Sequence, residues 1–132
     1  MIDFLIAVCI FNFQICETQK QINYAYVTAV SQGVNPNDFL DLVSCESRWN
    51  SKAKGDYRSE TGEFMSFGLL QWWPDSFKHY AKFYNLKLDR NNPYDQIDLA
   101  LLVLADGGEK NWFNCVKTHN LFGYKSKKLA LK

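Results

Sequence analysis

The sequence predicts an α+β fold, mainly α: several short helices around a central apolar helix, with one small β-hairpin. Three observations carry this. Asn35-Pro36, Pro74-Asp75-Ser76 and Asn92-Pro93 are helix start signals, each opening a stretch with apolar residues at helical spacing. Residues Ile97 to Ala105 are apolar except for Asp98, which suits a helix buried on nearly every side. Asp56 to Ser59 and Phe64 to Phe67 flank Glu60-Thr61-Gly62-Glu63, whose glycine fits a tight turn.

Composition bounds the rest. The 132 residues are 47% hydrophobic and 22% charged, and 10 Phe, 7 Tyr and 4 Trp exclude a disordered chain. No apolar stretch reaches the roughly 18 residues of a membrane-spanning helix, which excludes a polytopic membrane protein. A net charge of +1 gives no field to pull the protein onto nucleic acid, and none is expected as partner. Five lysines and no acid follow from residue 117 onward, so residues 117–132 read as a basic C-terminal tail. It is either a frayed terminus or a contact for an anionic polymer or surface.

From the N-terminus, Phe4 to Phe13 is an apolar run broken only by Asn12, of the length found in a secretion signal. No basic residue precedes it and no small-residue cleavage site follows, so a core helix or a membrane tether are the alternatives. Residues 1–18 are therefore set apart as a signal or membrane-proximal segment, and residues 19–116 as the domain. Gln19 to Gln32 reads as a helix with Ile22, Tyr26, Ala29 and Val30 inward, ended by Gly33. A second helix should run from Pro36 to about Trp49, capped by Asn35. Next come the hairpin and a helix with Phe77, Tyr80, Ala81 and Tyr84 on one face, stopped by Asn85. The central helix ends at Gly107-Gly108, and Asn111 to Val116 forms a last turn.

The second helix carries the main functional signal. Its apolar stripe passes through Phe39, Leu42, Val43 and Trp49, and the position seven residues after Phe39 is Glu46. Burial raises a carboxyl pKa toward neutrality, where it can donate a proton to a leaving oxygen. The plainer alternative is that the buried part of the helix has ended, leaving Glu46 exposed or paired with Arg48 or a lysine. Downstream, Ser66-Phe67-Gly68-Leu69-Leu70-Gln71 is followed by Trp72-Trp73. Aromatic faces beside amides and hydroxyls suit a sugar chain, although paired tryptophans alone are more often core.

Cysteines occur at 9, 16, 45 and 115. If the leading segment is removed, only Cys45 and Cys115 remain, and one bond is possible; two buried free thiols are the alternative. Such a bridge would close a loop of about 70 residues, worth about 4 kcal/mol in the chain-entropy model, and needs an oxidising compartment. No ligand spacing suggests a metal, no glycine motif suggests a phosphate, and no cofactor is expected.

In order, Cys45-Glu46-Ser47-Arg48-Trp49-Asn50, Ala53, Ser66-Phe67-Gly68-Leu69-Leu70-Gln71, Gln96-Ile97 to Leu104, and Trp112 to Cys115 resemble the motifs of the lysozyme-like superfamily. The closest likenesses are the soluble lytic transglycosylase domain and the catalytic domain of resuscitation-promoting factors, over roughly residues 20 to 116. The resuscitation-promoting factors are similar in having a cysteine directly before the catalytic glutamate and a partner after a late tryptophan, here Cys45 and Cys115.

The resemblance implies a lysozyme-like fold and cleavage of the β-1,4 bond between N-acetylmuramic acid and N-acetylglucosamine in peptidoglycan glycan strands. Glu46 is then the catalytic acid and later the base, while Ser66 and Gln71 line the glycan cleft. Tyr57 and Trp72 are added here as aromatic contacts for sugar. Location is expected to be secreted or in the cell envelope, and the protein a monomer.

Asp56, Glu60 and Glu63 are candidates for a second carboxylate. The single-glutamate route, closing to a 1,6-anhydro product, is preferred over hydrolysis. An inactive peptidoglycan-binding module and a disulfide-stapled protein-interaction domain are competing classes. The chain departs from the family at residues 56–65, a longer and more charged hairpin.

Overall fold

A computed structural model describes residues 13–125. It contains helices α1 (Phe13–Gln32) and α2 (Pro36–Ser47), strands β1 (Lys54–Arg58) and β2 (Glu63–Phe67), then helices α3 (Pro74–Phe83) and α4 (Pro93–Ala105). A 3-10 turn at Glu109–Trp112 leads into α5 (Phe113–His119). The architecture is α+β and mainly α, the lysozyme-like arrangement expected from the sequence.

The start signals work as their chemistry requires. Asn35 accepts a hydrogen bond from the Asp38 amide, and Asn92 accepts from those of Tyr94 and Asp95, while Pro36 and Pro93 occupy first-turn positions where no amide is needed. α4 is the centre of the core, with Ile97, Leu99, Ala100, Leu101, Val103 and Leu104 buried. Asp98, which interrupts that run, accepts a hydrogen bond from the Tyr24 hydroxyl of α1 at 2.6 Å. The two strands pair antiparallel, with Lys54 opposite Phe67 and Arg58 opposite Glu63.

One expectation, the inward face of the first helix, is corrected, and two segment boundaries drawn from the sequence fall within helices. α1 begins at Phe13 and runs unbroken through the boundary placed after residue 18; residues 1–12 lie outside those described. Its inward face is Gln21, Ala25 and Ala29, a spacing of four that lets small alanines bring α1 close, whereas Tyr26 and Val30 are exposed. The tail set at residue 117 is folded for its first part. α5 continues to His119, Leu121 is only 2% exposed, and the Phe122 amide donates to Asp38 Oδ2 at 3.0 Å. An apolar Leu121 five residues after buried Val116 has a core to join, and residues 126–132 lie outside those described.

Gln96, 1% exposed at the first turns of α4, joins the hairpin, the loop after it and the approach to α4. Its Nε2 donates to the carbonyls of Phe67 (3.0 Å) and Arg90 (2.8 Å), and its Oε1 accepts from the Leu70 amide at 3.0 Å. The Leu70 amide and the Arg90 carbonyl lie in irregular segments with no ladder to satisfy them, and the Phe67 carbonyl, at the end of β2, accepts this bond beside that of the Trp72 amide. Gly68, at φ 83°, lets the loop approach so closely that a Cβ there would lie 2.2 Å from Gln96 Nε2.

Gln96→Leu therefore keeps the volume but leaves the Leu70 amide and the Arg90 carbonyl without this partner, at about 1–3 kcal/mol each. Urea denaturation should show a loss of about 2–4 kcal/mol. Cys45 and Cys115 are disulfide-bonded across a sequence separation of 70. The double serine variant should lose up to about 4 kcal/mol in the same measurement.

Candidate active site

Glu46 lies in the last turn of α2, which ends where Arg48 and Trp49 take left-handed backbone conformations at φ 53° and 62°. The adjacent Cys45 ties this helix end to α5 through Cys115. The helix end that carries the acid is thus covalently fixed to the opposite wall.

A depression of about 480 Å³ opens over Glu46, a size suited to a small-molecule or sugar subsite. Gly55, Asp56 and Ser66 line it from the hairpin, and Gln71 and Trp73 from the loop that follows. Lys110 to Cys115 form the facing wall. A larger hollow of about 1170 Å³ lies between α3 and the segment 85–90, but neither Glu46 nor any other residue of this wall lines it. Chemistry, not size, singles out the Glu46 cleft.

Burial pushes the Glu46 carboxyl up to about 7, and the negative charge of Asp56 adds to the rise. Glu46 forms no ion pair or hydrogen bond with any described residue. The pairing with Arg48 or a lysine that the sequence left open is not formed. A half-buried carboxyl that is partly protonated at neutral pH and free of partners is fit to donate its proton to a ligand.

Ser66 and Gln71 both line the cleft and are bound to each other, Ser66 Oγ donating to Gln71 Oε1 at 2.8 Å. Gln71 Nε2 donates to the carbonyls of Ala53 (3.0 Å) and Gly68 (2.9 Å), so this amide shapes the floor. It does so from a left-handed backbone, φ 50°, in the four-residue turn closed by mutual hydrogen bonds between Phe67 and Trp72. Gly55 leaves room for the pair: a Cβ there would lie 2.6 Å from both Ser66 Oγ and Gln71 Oε1.

The two aromatic additions fall elsewhere. Trp72 is 3% exposed and packs edge-on against Phe77 and Trp112, its Nε1 donating to the Gln96 carbonyl at 3.3 Å. It is core, and its bridge to Phe67 is what turns it inward. Tyr57 is 59% exposed and packs on Phe64 on the hairpin, outside the cleft lining. Trp73, passed over in the sequence, is the tryptophan that lines the cleft. No residue pattern separates it from Trp72, which the structure buries beside it. Of the three hairpin acids, Asp56 lines the cleft, while Glu60 and Glu63 are exposed and do not. No group of metal-ligating side chains occurs among the described residues.

The raised Glu46 pKa has a stability consequence with a definite sign. Its folded value, about 7, lies above its ordinary value of 4.5. The favourable contribution of the protonated carboxyl is therefore complete below about pH 4.5 and lost as pH rises through about 7. Glu46→Gln, neutral at every pH, should match the parent protein at pH 4. At pH 8 it should exceed it by about 2 kcal/mol after allowance for solvent access, as read by chemical denaturation.

A family model described as the transglycosylase SLT domain matches residues 23–121, three-quarters of the chain. No curated protein and no solved structure matches it. The matched span runs from α1 through the hairpin and cleft to Leu121, and so takes in every element that builds the Glu46 site. The chain belongs to the transglycosylase SLT domain family of the lysozyme-like superfamily, a family whose activity is of a peptidoglycan-related transglycosylase type.

Proposed function

We propose that the protein cleaves the β-1,4 bond between N-acetylmuramic acid and N-acetylglucosamine in peptidoglycan by a lytic transglycosylase reaction with Glu46 as its acid. The observation that carries this is the unpartnered, half-buried Glu46 carboxyl, held near pKa 7 on a helix end that a disulfide fixes to the facing wall. Protonated, Glu46 gives its proton to the glycosidic oxygen as the bond to the muramyl anomeric carbon breaks and the N-acetylglucosamine hydroxyl leaves. The resulting carboxylate takes the proton of the muramyl 6-hydroxyl, whose oxygen closes on the anomeric carbon. A 1,6-anhydro end forms and Glu46 is again protonated, with no water consumed.

Gln71 and Ser66 keep the floor rigid during these steps, so that little reorganisation accompanies charge development. Trp73 presents an aromatic edge and face to sugar at the cleft rim. Peptidoglycan as substrate places the work outside the cytoplasm, and the disulfide requires oxidising conditions to form. No helix among the described residues is long and apolar enough to cross a membrane.

Mass spectrometry of soluble products from purified peptidoglycan tests this. The parent protein should release muropeptides lighter by one water than hydrolysis products, and Glu46→Gln should reduce their release by about 100-fold or more. Full activity in the variant would remove Glu46 from its role, and glycan binding without any product would identify a binding module instead.

A further inference from the structure

We propose that Asp56 is a second working carboxylate of this cleft, holding and deprotonating a water that competes with the muramyl 6-hydroxyl for the anomeric carbon. It thereby sets the share of hydrated product. This rests on Glu46 acting as the acid.

The backbone singles out Asp56. Gly55 pairs with Ser66 and Tyr57 with Phe64, so the register is the same on both sides of Asp56, yet Asp56 and Met65 do not pair. Asp56 instead adopts φ 52° in the middle of β1, a strained choice for a side chain larger than glycine. The Met65 carbonyl accepts from Arg90 Nη2 at 2.8 Å. The departure from the ladder places the Asp56 carboxylate in the lining of the Glu46 cleft, where a regular strand residue would not need it.

The carboxylate is also held. Trp73 Nε1 donates to Asp56 Oδ2 at 2.8 Å, and the Trp73 ring is in turn covered by the Arg58 guanidinium at 4.9 Å from its centroid. Oδ1 has no protein donor among the described residues, and the residue is open to solvent. A carboxylate fixed by one oxygen in the lining of a cleft shared with a proton donor can position a water. Its negative charge also raises the Glu46 carboxyl, which favours the protonated acid that the reaction requires.

Glu46 protonates the glycosidic oxygen as the bond to the anomeric carbon breaks; the water attacks that carbon and passes its proton to Asp56. A reducing-end muramic acid results. Solvent then removes the proton from Asp56 and restores one to Glu46, for a net consumption of one water.

The test is the ratio of hydrated to anhydro muropeptides, measured by mass spectrometry from pH 5 to 8 for the parent protein, Asp56→Asn and Trp73→Phe. The parent should give both products, and Asp56→Asn should cut the hydrated share by about tenfold or more. Trp73→Phe, which removes the anchoring N–H and keeps an aromatic ring at the position, should lower it severalfold in the same direction and covers the case in which Asp56→Asn fails to fold. Removing the Asp56 charge should also move the alkaline limit of total cleavage to lower pH, a change that a merely structural role would not produce. Only anhydro product from the parent, or an unchanged ratio in both variants, overturns the proposal while leaving Glu46 as the acid. No cleavage at all by the parent overturns both.

Discussion

The buried Gln96 amide is the interaction on which the cleft depends. A cleft beside a core needs irregular backbone, since the segment 67–73 must leave the hairpin, turn and enter α3 within a few residues. Irregular backbone buried without partners is costly, at about 1–3 kcal/mol for each unsatisfied group. One side chain on the central helix satisfies the Phe67 and Arg90 carbonyls and the Leu70 amide together. Gln71, in the same loop, repeats the device on the cleft side by tying Ala53 and Gly68. Two glutamines thus replace the ladder that strand geometry would otherwise supply, and they leave a rigid floor between the hairpin and α4.

The acid itself works against folding. Its burial and the nearby Asp56 charge both penalise the ionised form. Above neutral pH the native state must carry a charge that the unfolded chain would hydrate freely. The disulfide offsets this by restricting the unfolded chain, and it does so at the residue next to the acid. A small domain has limited apolar surface to bury, so a covalent tie at the strained site stabilises more effectively than a slightly larger core elsewhere.

Much of this was legible in the sequence because it rests on local chemistry. Asn35 and Asn92 cap, Pro36 and Pro93 start, Gly62 turns the hairpin at φ 70°, and the run from Ile97 is buried because nothing in it but Asp98 seeks water. Glu46 stood out because it broke an apolar stripe. What was not legible depends on partners distant in sequence. The inward face of α1, which packs on α2 and α4, is the one that buries small Ala25 and Ala29, so larger Tyr26 and Val30 are left outside. Trp72 and Trp73 have the same composition and exchange roles only because Phe67 bridges one of them. The choice of Asp56 over Glu60 and Glu63 turns on one positive φ within a strand, which no residue pattern announces.

The site is built from adjacent residues that face opposite tasks. Cys45 anchors α2 to α5 while Glu46 enters the cleft. Trp72 packs among Phe77 and Trp112 while Trp73 lines the rim and holds Asp56. Gly55 yields space to Ser66 and Gln71 while Asp56 leaves the ladder. In each pair the structural member is within one peptide unit of the functional one, so the lever arm for misplacement is short. Catalysis tolerates errors of only about 0.5 Å in the groups that do the chemistry. Coupling each proposed working group to a structural neighbour in sequence gives the site rigidity with few residues.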